Sequence, residues 1–129
     1  MKYACLVYID AAAIGAITPE EDRQLIDDTI AEDWELRNRG QLILAQPLQP
    51  PETAVTVRLR NGAISSTDGP FAETKEHLGG FTLIEARDLN EAIQIASKSA
   101  ILKYGSIEIR PFLEQSHSET GQKRPELEA

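Results

Sequence analysis

The segment that most constrains the fold is KYACLVYI, residues 2–9, because it is apolar on both of its alternating faces. Successive side chains of a strand point to opposite sides of a sheet, so such a strand has to be covered on both sides. The helices predicted for this chain cover one side of the sheet. We therefore expect a central strand whose second side is covered by another copy of the chain, which predicts a homodimer.

A first long helix is predicted after this strand and a short connector. Thr18 precedes Pro19 and has Glu21 three residues further on, which is the pattern of an N-cap, a first-turn proline and a capping box. The helix is expected to continue to about Arg39, with Gly40 as its left-handed stop.

A second helix is predicted from Leu89 to Tyr104, because apolar residues recur at helical spacing after an N-cap at Asp88. Gly105 is expected to stop this helix. Further strands are predicted in the segments QLILAQPL, TAVTVRLR, AISST, FTLIEA and SIEIRPF. The pair Asn61-Gly62 is a strong type I′ turn signal, so TAVTVRLR and AISST should form a hairpin.

The resulting order is β-α-β-β-β-β-α-β, a ferredoxin-like β-α-β-β-α-β plan with an inserted hairpin. The predicted fold class is therefore α+β, with an antiparallel sheet and two helices on one face. One domain is expected over residues 1–113. Residues 114–129 have little to bury and are predicted to form a mobile tail, with an arm docked on the partner subunit as the alternative.

Composition and charge exclude several functional classes. The net charge is -8 and the basic residues form no stripe, so nucleic-acid binding is not expected. No apolar run is long enough for a membrane span, and the lone Cys5 is expected to be a buried, inert thiol in a cytoplasmic protein. The chain has no G-x-G-x-x-G, P-loop or G-x-S-x-G motif, so neither a nucleotide cofactor nor serine-hydrolase chemistry is predicted.

The segment STDGPFAETKEHLGGFTLIEARDLNEAIQIA, followed by GSIEIRPF, closely resembles the DGPF-type branch of the YCII-related proteins. MKYACLVY and TAVTVR are similar too, so the resemblance covers nearly everything before the tail. It implies a dimeric α/β barrel of ferredoxin-like subunits. Many bacterial members look like companions of extracytoplasmic-function sigma factors. Others of the wider family carry a proposed His-Asp pair and resemble a small dehalogenase-like or lactone-handling enzyme.

Asp68 is the candidate acid or base of the DGPF motif. It stands at the end of a predicted strand just before Gly69-Pro70, where the backbone has few options. In the wider family, an aspartate at this place belongs to the proposed pair. The structural alternative is an Asx-turn or a cap on the turn that starts at Pro70. Phe71 of the same motif is a further ligand-binding candidate.

The histidine of the family pair does not carry over, because the first predicted helix contains none. His77 is then the histidine candidate for a ligand site. If AETKEH formed a helical turn, Glu73 and His77 would be an ordinary surface pair. A metal site built from Asp68, Glu73 and His77 has no recognised ligand spacing, so no metal is predicted.

An acidic residue interrupts the apolar stripe of the first predicted helix. That stripe consists of Leu25, Ile26, Thr29, Ile30 and Leu36. Asp33 falls in its middle, with Arg37 one turn further on. Either these two charges neutralise each other at the helix edge, or the helix borders a polar pocket at Thr29 and Asp33.

Arg58 and Arg110 are the basic candidates, since both alternate away from apolar neighbours on their predicted strands. They could hold a small anionic ligand beside Asp68, or they could bridge glutamates across the dimer. The sequence thus predicts a small-molecule-binding dimer with a pocket between the first helix, the sheet and the DGPF loop. It leaves catalysis open, with Asp68 as acid or base and Arg58 as anchor. The alternative is a non-enzymatic regulatory protein that acts with a sigma factor.

Overall fold

The structure is a computed structural model that describes residues 1–127. In chain order its strands and helices are β1 (Lys2–Asp10), α1 (Ala11–Gly15), α2 (Pro19–Asn38), β2 (Leu42–Pro47), β3 (Val55–Arg60), β4 (Ala63–Asp68), β5 (Glu76–Glu85), α3 (Leu89–Ser97) and β6 (Gly105–Pro111). Short 3₁₀ turns occupy Pro51–Thr53 and Ala100–Lys103. Within the described residues, no helix is long and apolar enough to cross a membrane.

Four strands form one antiparallel sheet in the order β2-β5-β1-β6. Helix α2 connects β1 to β2 and helix α3 connects β5 to β6, so the predicted ferredoxin-like α+β plan is confirmed. Strands β3 and β4 form a separate two-stranded ribbon, which is the inserted hairpin. The dimeric barrel requires a second copy of the chain and stays a prediction.

The hydrophobic core lies between the sheet and the helices α2 and α3. Tyr3 and Cys5 of β1 and Ile84 of β5 point to this side. They meet Leu36 of α2 and Ala92 of α3, and all five residues are more than nine-tenths buried. Because both helices contribute to one cluster, they pack on the same face of the sheet, as predicted.

The opposite face of the sheet, the open face, has an apolar centre of Ala4, Leu6, Phe81 and Leu83, and on β6 it carries Glu108 and Arg110 beside Leu6 and Ala4. Ala4 and Leu6 alternate with the core residues of β1, and their register partners are Leu83 and Phe81. All four are only half-buried. The homodimer prediction rests on this apolar centre, since the helices of the same chain pack on the other side.

The local signals at the ends of the elements are confirmed. The Glu21 N–H donates to the Thr18 hydroxyl at 3.1 Å, and the Thr18 N–H donates to the Glu21 carboxylate at 3.0 Å. Gly40 takes a left-handed conformation at φ 74° after α2. Asn61 and Gly62 have φ values of 50° and 78°, as a type I′ hairpin turn requires.

The predicted continuous second helix is wrong, because α3 ends at Ser97. Ser99 caps a separate 3₁₀ turn, and the Ala100 N–H donates to the Glu32 carboxylate of α2 at 2.8 Å. Gly105 does not stop a helix; it opens β6. A Cβ on Gly105 would lie 1.9 Å from the Tyr8 carbonyl oxygen, so this glycine allows β6 to approach β1.

Strand β5 begins earlier than predicted. It includes Glu76 and His77, which pair with Asp10 and Ile9 of β1, so the helical turn considered for AETKEH is wrong. Gly79 lies at a register shift between β1 and β5, and a Cβ there would lie 2.3 Å from the Ile9 side chain. A larger residue at this bulge would therefore require the Ile9 side chain to move, which is a structural reason for a glycine that needs no ligand.

The C-terminal segment folds back on itself. The His117 N–H donates to the Gln122 carbonyl at 2.8 Å, and Ser116 and Lys123 form an isolated bridge. Glu126 then pairs with Lys2 at the start of β1, with 2.5 Å between the charged atoms. All of these tail residues are exposed, and the mobility of the tail stays a prediction. Residues 128–129 of the predicted tail lie outside the described residues.

Candidate functional site

A cavity of about 80 Å³ lies between α2, α3 and the core-facing side of the sheet. A single water molecule needs about 10–15 Å³ on this measure, so several waters or one end of a small organic molecule fit. Its mainly apolar walls are formed by Cys5, Val7, Leu36, Thr82, Ile95, Ala96 and Ile107. Its polar lining consists of Glu32, Asp33, Glu35, Arg39, Lys98 and Ser99.

Glu35, Arg39 and Lys98 are exposed, so the mouth of the cavity lies on their side. Arg39 pairs with Glu35 at 3.8 Å. Lys98 caps the C-terminal end of α3 and forms no ion pair within residues 1–127. Among the described residues, the Lys98 ammonium group is thus a positive charge at the mouth that no carboxylate neutralises.

Asp33 projects from α2 into the wall of this cavity and is half-buried. The predicted pairing of Asp33 with Arg37 is wrong, because Arg37 lies over the Trp34 ring, with 5.4 Å between the guanidinium carbon and the ring centroid. Trp34 and Arg37 are both exposed, whereas Asp33 faces inward. In the described part of the chain, the Asp33 carboxylate has no ion-pair or hydrogen-bond partner. The pocket interpretation of Asp33 is the one that the geometry favours.

Burial raises the pKa of Asp33 above its ordinary value, and the neighbouring Glu32 carboxylate raises the pKa further. Glu32 itself is committed to structure, since it accepts hydrogen bonds from the Ser99 hydroxyl at 3.2 Å and from the Ala100 N–H at 2.8 Å. Asp33 is therefore the acidic group of the cavity that is free to exchange a proton with a ligand.

The strand side of the cavity combines a thiol and a hydroxyl. Cys5 and Thr82 are register partners on β1 and β5, and both line the cavity. Cys5 is buried, as predicted, and burial raises the pKa of its thiol to about 11, which disfavours the reactive thiolate. Thr82, Lys98 and Ser99 also line the cavity and were not predicted from the sequence. The signal for Thr82 was its alternation with Ile84 on the core-facing side of β5.

The DGPF residues lie on the ribbon and the loop after it, away from this cavity. Asp68 ends β4 opposite Val55, whereas Arg58 of β3 is opposite Ser65, so the two charges point to opposite faces of the ribbon. The Arg58 guanidinium carbon lies 5.6 Å from the centroid of the Phe71 ring. Neither Asp68, Arg58 nor Phe71 lines the cavity.

The Asx-turn interpretation of Asp68 is wrong. No hydrogen bond to its carboxylate occurs within residues 1–127, and the Gly69 N–H donates to the Ala54 carbonyl at 2.8 Å instead. Phe71 is one of the most exposed apolar residues of the chain, at 81 %. The predicted ligand-binding roles of Asp68 and Phe71 stay predictions, and within residues 1–127 the Phe71 ring contacts the Arg58 guanidinium.

The remaining predicted site residues are dispersed. Arg110 lies in the main sheet, where its Nε is 3.2 Å from the Glu108 carboxylate. His77 is half-buried in β5, opposite Ile9. The Thr29 hydroxyl donates to the Ile26 carbonyl of the same helix at 3.1 Å. Among the described residues, no group of three histidine, cysteine, aspartate or glutamate side chains could hold a metal ion.

Comparisons with known proteins find similarity over most of the chain. The model of the YCII-related domain matches residues 1–116. An uncharacterised protein of Rhizobium meliloti (strain 1021) is 39% identical over 114 residues, which cover 87% of this chain and 92% of the relative. The similarity therefore extends over the three helices, the main sheet and the ribbon, and it excludes most of the tail.

Proposed function

The chain belongs to the YCII-related family, and we propose that it binds a small molecule in the cavity beside Asp33. The observation that carries this proposal is a half-buried carboxylate that faces a cavity and has no protein partner among the described residues. A half-buried carboxylate loses part of its hydration, and a ligand group that meets it would offset that loss. A ligand with a hydroxyl, amine or carboxylic acid group would supply that contact.

The lining also favours a particular kind of ligand. The volume of about 80 Å³ admits only a few non-hydrogen atoms, so a larger molecule would extend through the mouth. Lys98 at the mouth would attract an anionic end, while the apolar walls favour a short hydrocarbon part. We therefore propose a small anionic ligand whose charged group binds Lys98.

Acid-base chemistry would use Asp33. A carboxyl group with a raised pKa can be protonated closer to neutral pH, which is the property that a general acid or base needs. Asp68 is the rival, because the family motif marks it and its carboxylate is unpartnered among the described residues. Both roles are proposals, and one experiment separates them.

We also propose that the protein forms a homodimer. The centre of the open face, Ala4, Leu6, Phe81 and Leu83, is apolar, and a second copy of the sheet could pack against it face to face, with the Glu108–Arg110 pair of β6 at its side. The cavity beside Asp33 lies on the other side of the same sheet, so dimerisation would leave its mouth accessible.

The test is a thermal-shift screen with small hydroxy acids, amino acids and carboxylic acids on the wild-type chain and on Asp33→Asn. A compound that raises the wild-type Tm should lose at least about tenfold in affinity for Asp33→Asn, since a hydrogen bond to a charged group contributes about 1.5–3 kcal/mol. Asp27→Asn is the matched control, because Asp27 is an exposed acid on the same helix.

Asp68→Asn is measured in parallel. Loss of binding in Asp68→Asn, with normal binding in Asp33→Asn, would indicate that the ligand site lies at the DGPF loop and not in the cavity. Equal binding by all four proteins would contradict both assignments. Failure of every compound to shift the wild-type Tm would count against a small-molecule site of this polarity.

A second candidate function is a non-enzymatic partner role with an extracytoplasmic-function sigma factor. The net charge of -8 favours it, because an acidic surface attracts a partner with a basic face. A salt-sensitive complex between the purified protein and the sigma factor would support this role. It would have to be unchanged in Asp33→Asn, since that carboxylate faces the cavity.

A further inference from the structure

Two apolar surfaces of the folded chain are exposed. The first, the ribbon face, is one side of the β3–β4 ribbon, and its residues, which are 60–72% exposed, are Val55, Val57, Leu59 and Ile64. The second, the helix stripe, runs along α2, and its residues, which are 49–57% exposed, are Ile26, Ile30 and Trp34. Contiguous exposed apolar surfaces mark contacts with another molecule. High exposure of both surfaces also shows that they do not pack on each other within one chain.

The two surfaces match in length. Val55, Val57 and Leu59 alternate along β3 and span about 13 Å, because a strand rises about 3.3 Å per residue. Ile26 and Trp34 are eight residues apart on α2, which corresponds to about 12 Å at 1.5 Å per residue. A row of three strand side chains can therefore lie along a row of three helix side chains.

The two surfaces also carry opposite charges at one end. Asp68 is the register partner of Val55, so its carboxylate lies at one end of the ribbon face. Arg37 lies at one end of the helix stripe, over the ring of Trp34. Within residues 1–127, neither Asp68 nor Arg37 forms an ion pair.

We infer that the ribbon face of one copy packs on the helix stripe of a second copy, with Asp68 beside the partner subunit's Arg37. Both surfaces belong to one chain, so a two-fold axis would form the contact twice and leave neither surface exposed. This inference rests on the proposed homodimer and adds a second contact to the one proposed at the open face. It gives Asp68 a role in assembly and explains why its carboxylate has no partner within residues 1–127 of its own chain.

Disulfide cross-linking between two differently tagged full-length chains tests the contact. One chain carries Ile30→Cys and the other carries Val57→Cys, and the mixture is oxidised and separated on a non-reducing gel. The expected product is a covalent heterodimer that contains both tags. Ser65→Cys replaces Val57→Cys in the matched control, because Ser65 lies on the opposite face of the ribbon. The native Cys5 is buried and is present in every sample.

A charge exchange tests the ionic end of the contact. Asp68→Arg and Arg37→Asp should each raise the dissociation constant of the dimer by about tenfold, since each brings two like charges together. The double variant restores opposite charges and should return the constant to within about threefold of wild type. A double variant that is as weak as the single variants would refute the pairing of Asp68 with Arg37.

The outcomes separate this inference from the proposed homodimer. A heterodimer that forms with Val57→Cys and not with Ser65→Cys supports the contact. Equal cross-linking from both ribbon faces, or none in a chain that sediments as a dimer, overturns the inference and leaves the homodimer standing. A wild-type chain that sediments as a monomer overturns both.

Discussion

Removal of the Glu32 side chain should destabilise the fold, because Glu32 connects α2 to the segment after α3. Its carboxylate accepts a hydrogen bond from the Ala100 N–H at 2.8 Å and a longer one from the Ser99 hydroxyl at 3.2 Å. A hydrogen bond to a charged group contributes about 1.5–3 kcal/mol, and an abandoned part-buried N–H adds to the loss. Since the longer bond contributes less, Glu32→Ala should lower the free energy of unfolding by about 2–3 kcal/mol.

Urea unfolding at neutral pH measures this loss, with an unchanged m-value as evidence that the same structure unfolds. Glu32→Gln keeps one oxygen acceptor and should lose about 1 kcal/mol. Glu35→Ala is the matched control, because Glu35 is an exposed acid on the same helix in a 3.8 Å ion pair with Arg39, a pair that should contribute less than about 0.5 kcal/mol. Equal free energies of unfolding for Glu32→Ala and Glu35→Ala would show that the hydrogen bonds from Ser99 and Ala100 to Glu32 do not stabilise the fold.

Gly105→Ala should cost at least about 2 kcal/mol in urea unfolding, because its Cβ would lie 1.9 Å from a main-chain oxygen of β1. Gly15→Ala, whose Cβ would have no atom within 4 Å, should change stability by less than about 0.5 kcal/mol, and an equal loss in both would contradict the close approach. The folded-state pKa of Asp33 is raised, so its contribution to stability is present below pH 3.8 and is lost as the pH rises through the raised value. Asp33→Asn should therefore be more stable than wild type at neutral pH, with a gain that shrinks in acid; a gain independent of pH would be inconsistent with this. Because the pKa of Cys5 is about 11, its thiol should react with a disulfide reagent only on unfolding, and fast reaction in the native protein would argue against its burial.

The parts of the fold that local chemistry determines could be predicted from the sequence. The capping box of Thr18 and Glu21 and the hairpin turn at Asn61-Gly62 depend on residues only a few positions apart. The break after α3 could not be predicted in this way. It depends on Glu32 of a distant helix, which accepts a hydrogen bond from Ala100 and so favours a separate turn.

The candidate site was predictable only in part, for a similar reason. Asp33 was identifiable because it interrupts an apolar stripe, and the structure places it in the wall of a cavity. Lys98 and Thr82 carried no distinctive local signal, and tertiary packing brings them to the same cavity. Asp68 was identified from its motif, and its separation from Arg58 follows from the register that the predicted Asn61-Gly62 turn sets, although the two were expected at one site.

The most direct test of the proposed site is a carbon-detected NMR titration of the Asp33 carboxyl group, with Asp33→Asn used to assign its signal. The cavity account predicts a pKa above the ordinary value of 3.8, because burial and the Glu32 carboxylate disfavour the charged form. It also predicts that a compound identified by thermal shift changes this titration. A pKa at or below 3.8, unaffected by such a compound, would contradict a ligand site at Asp33.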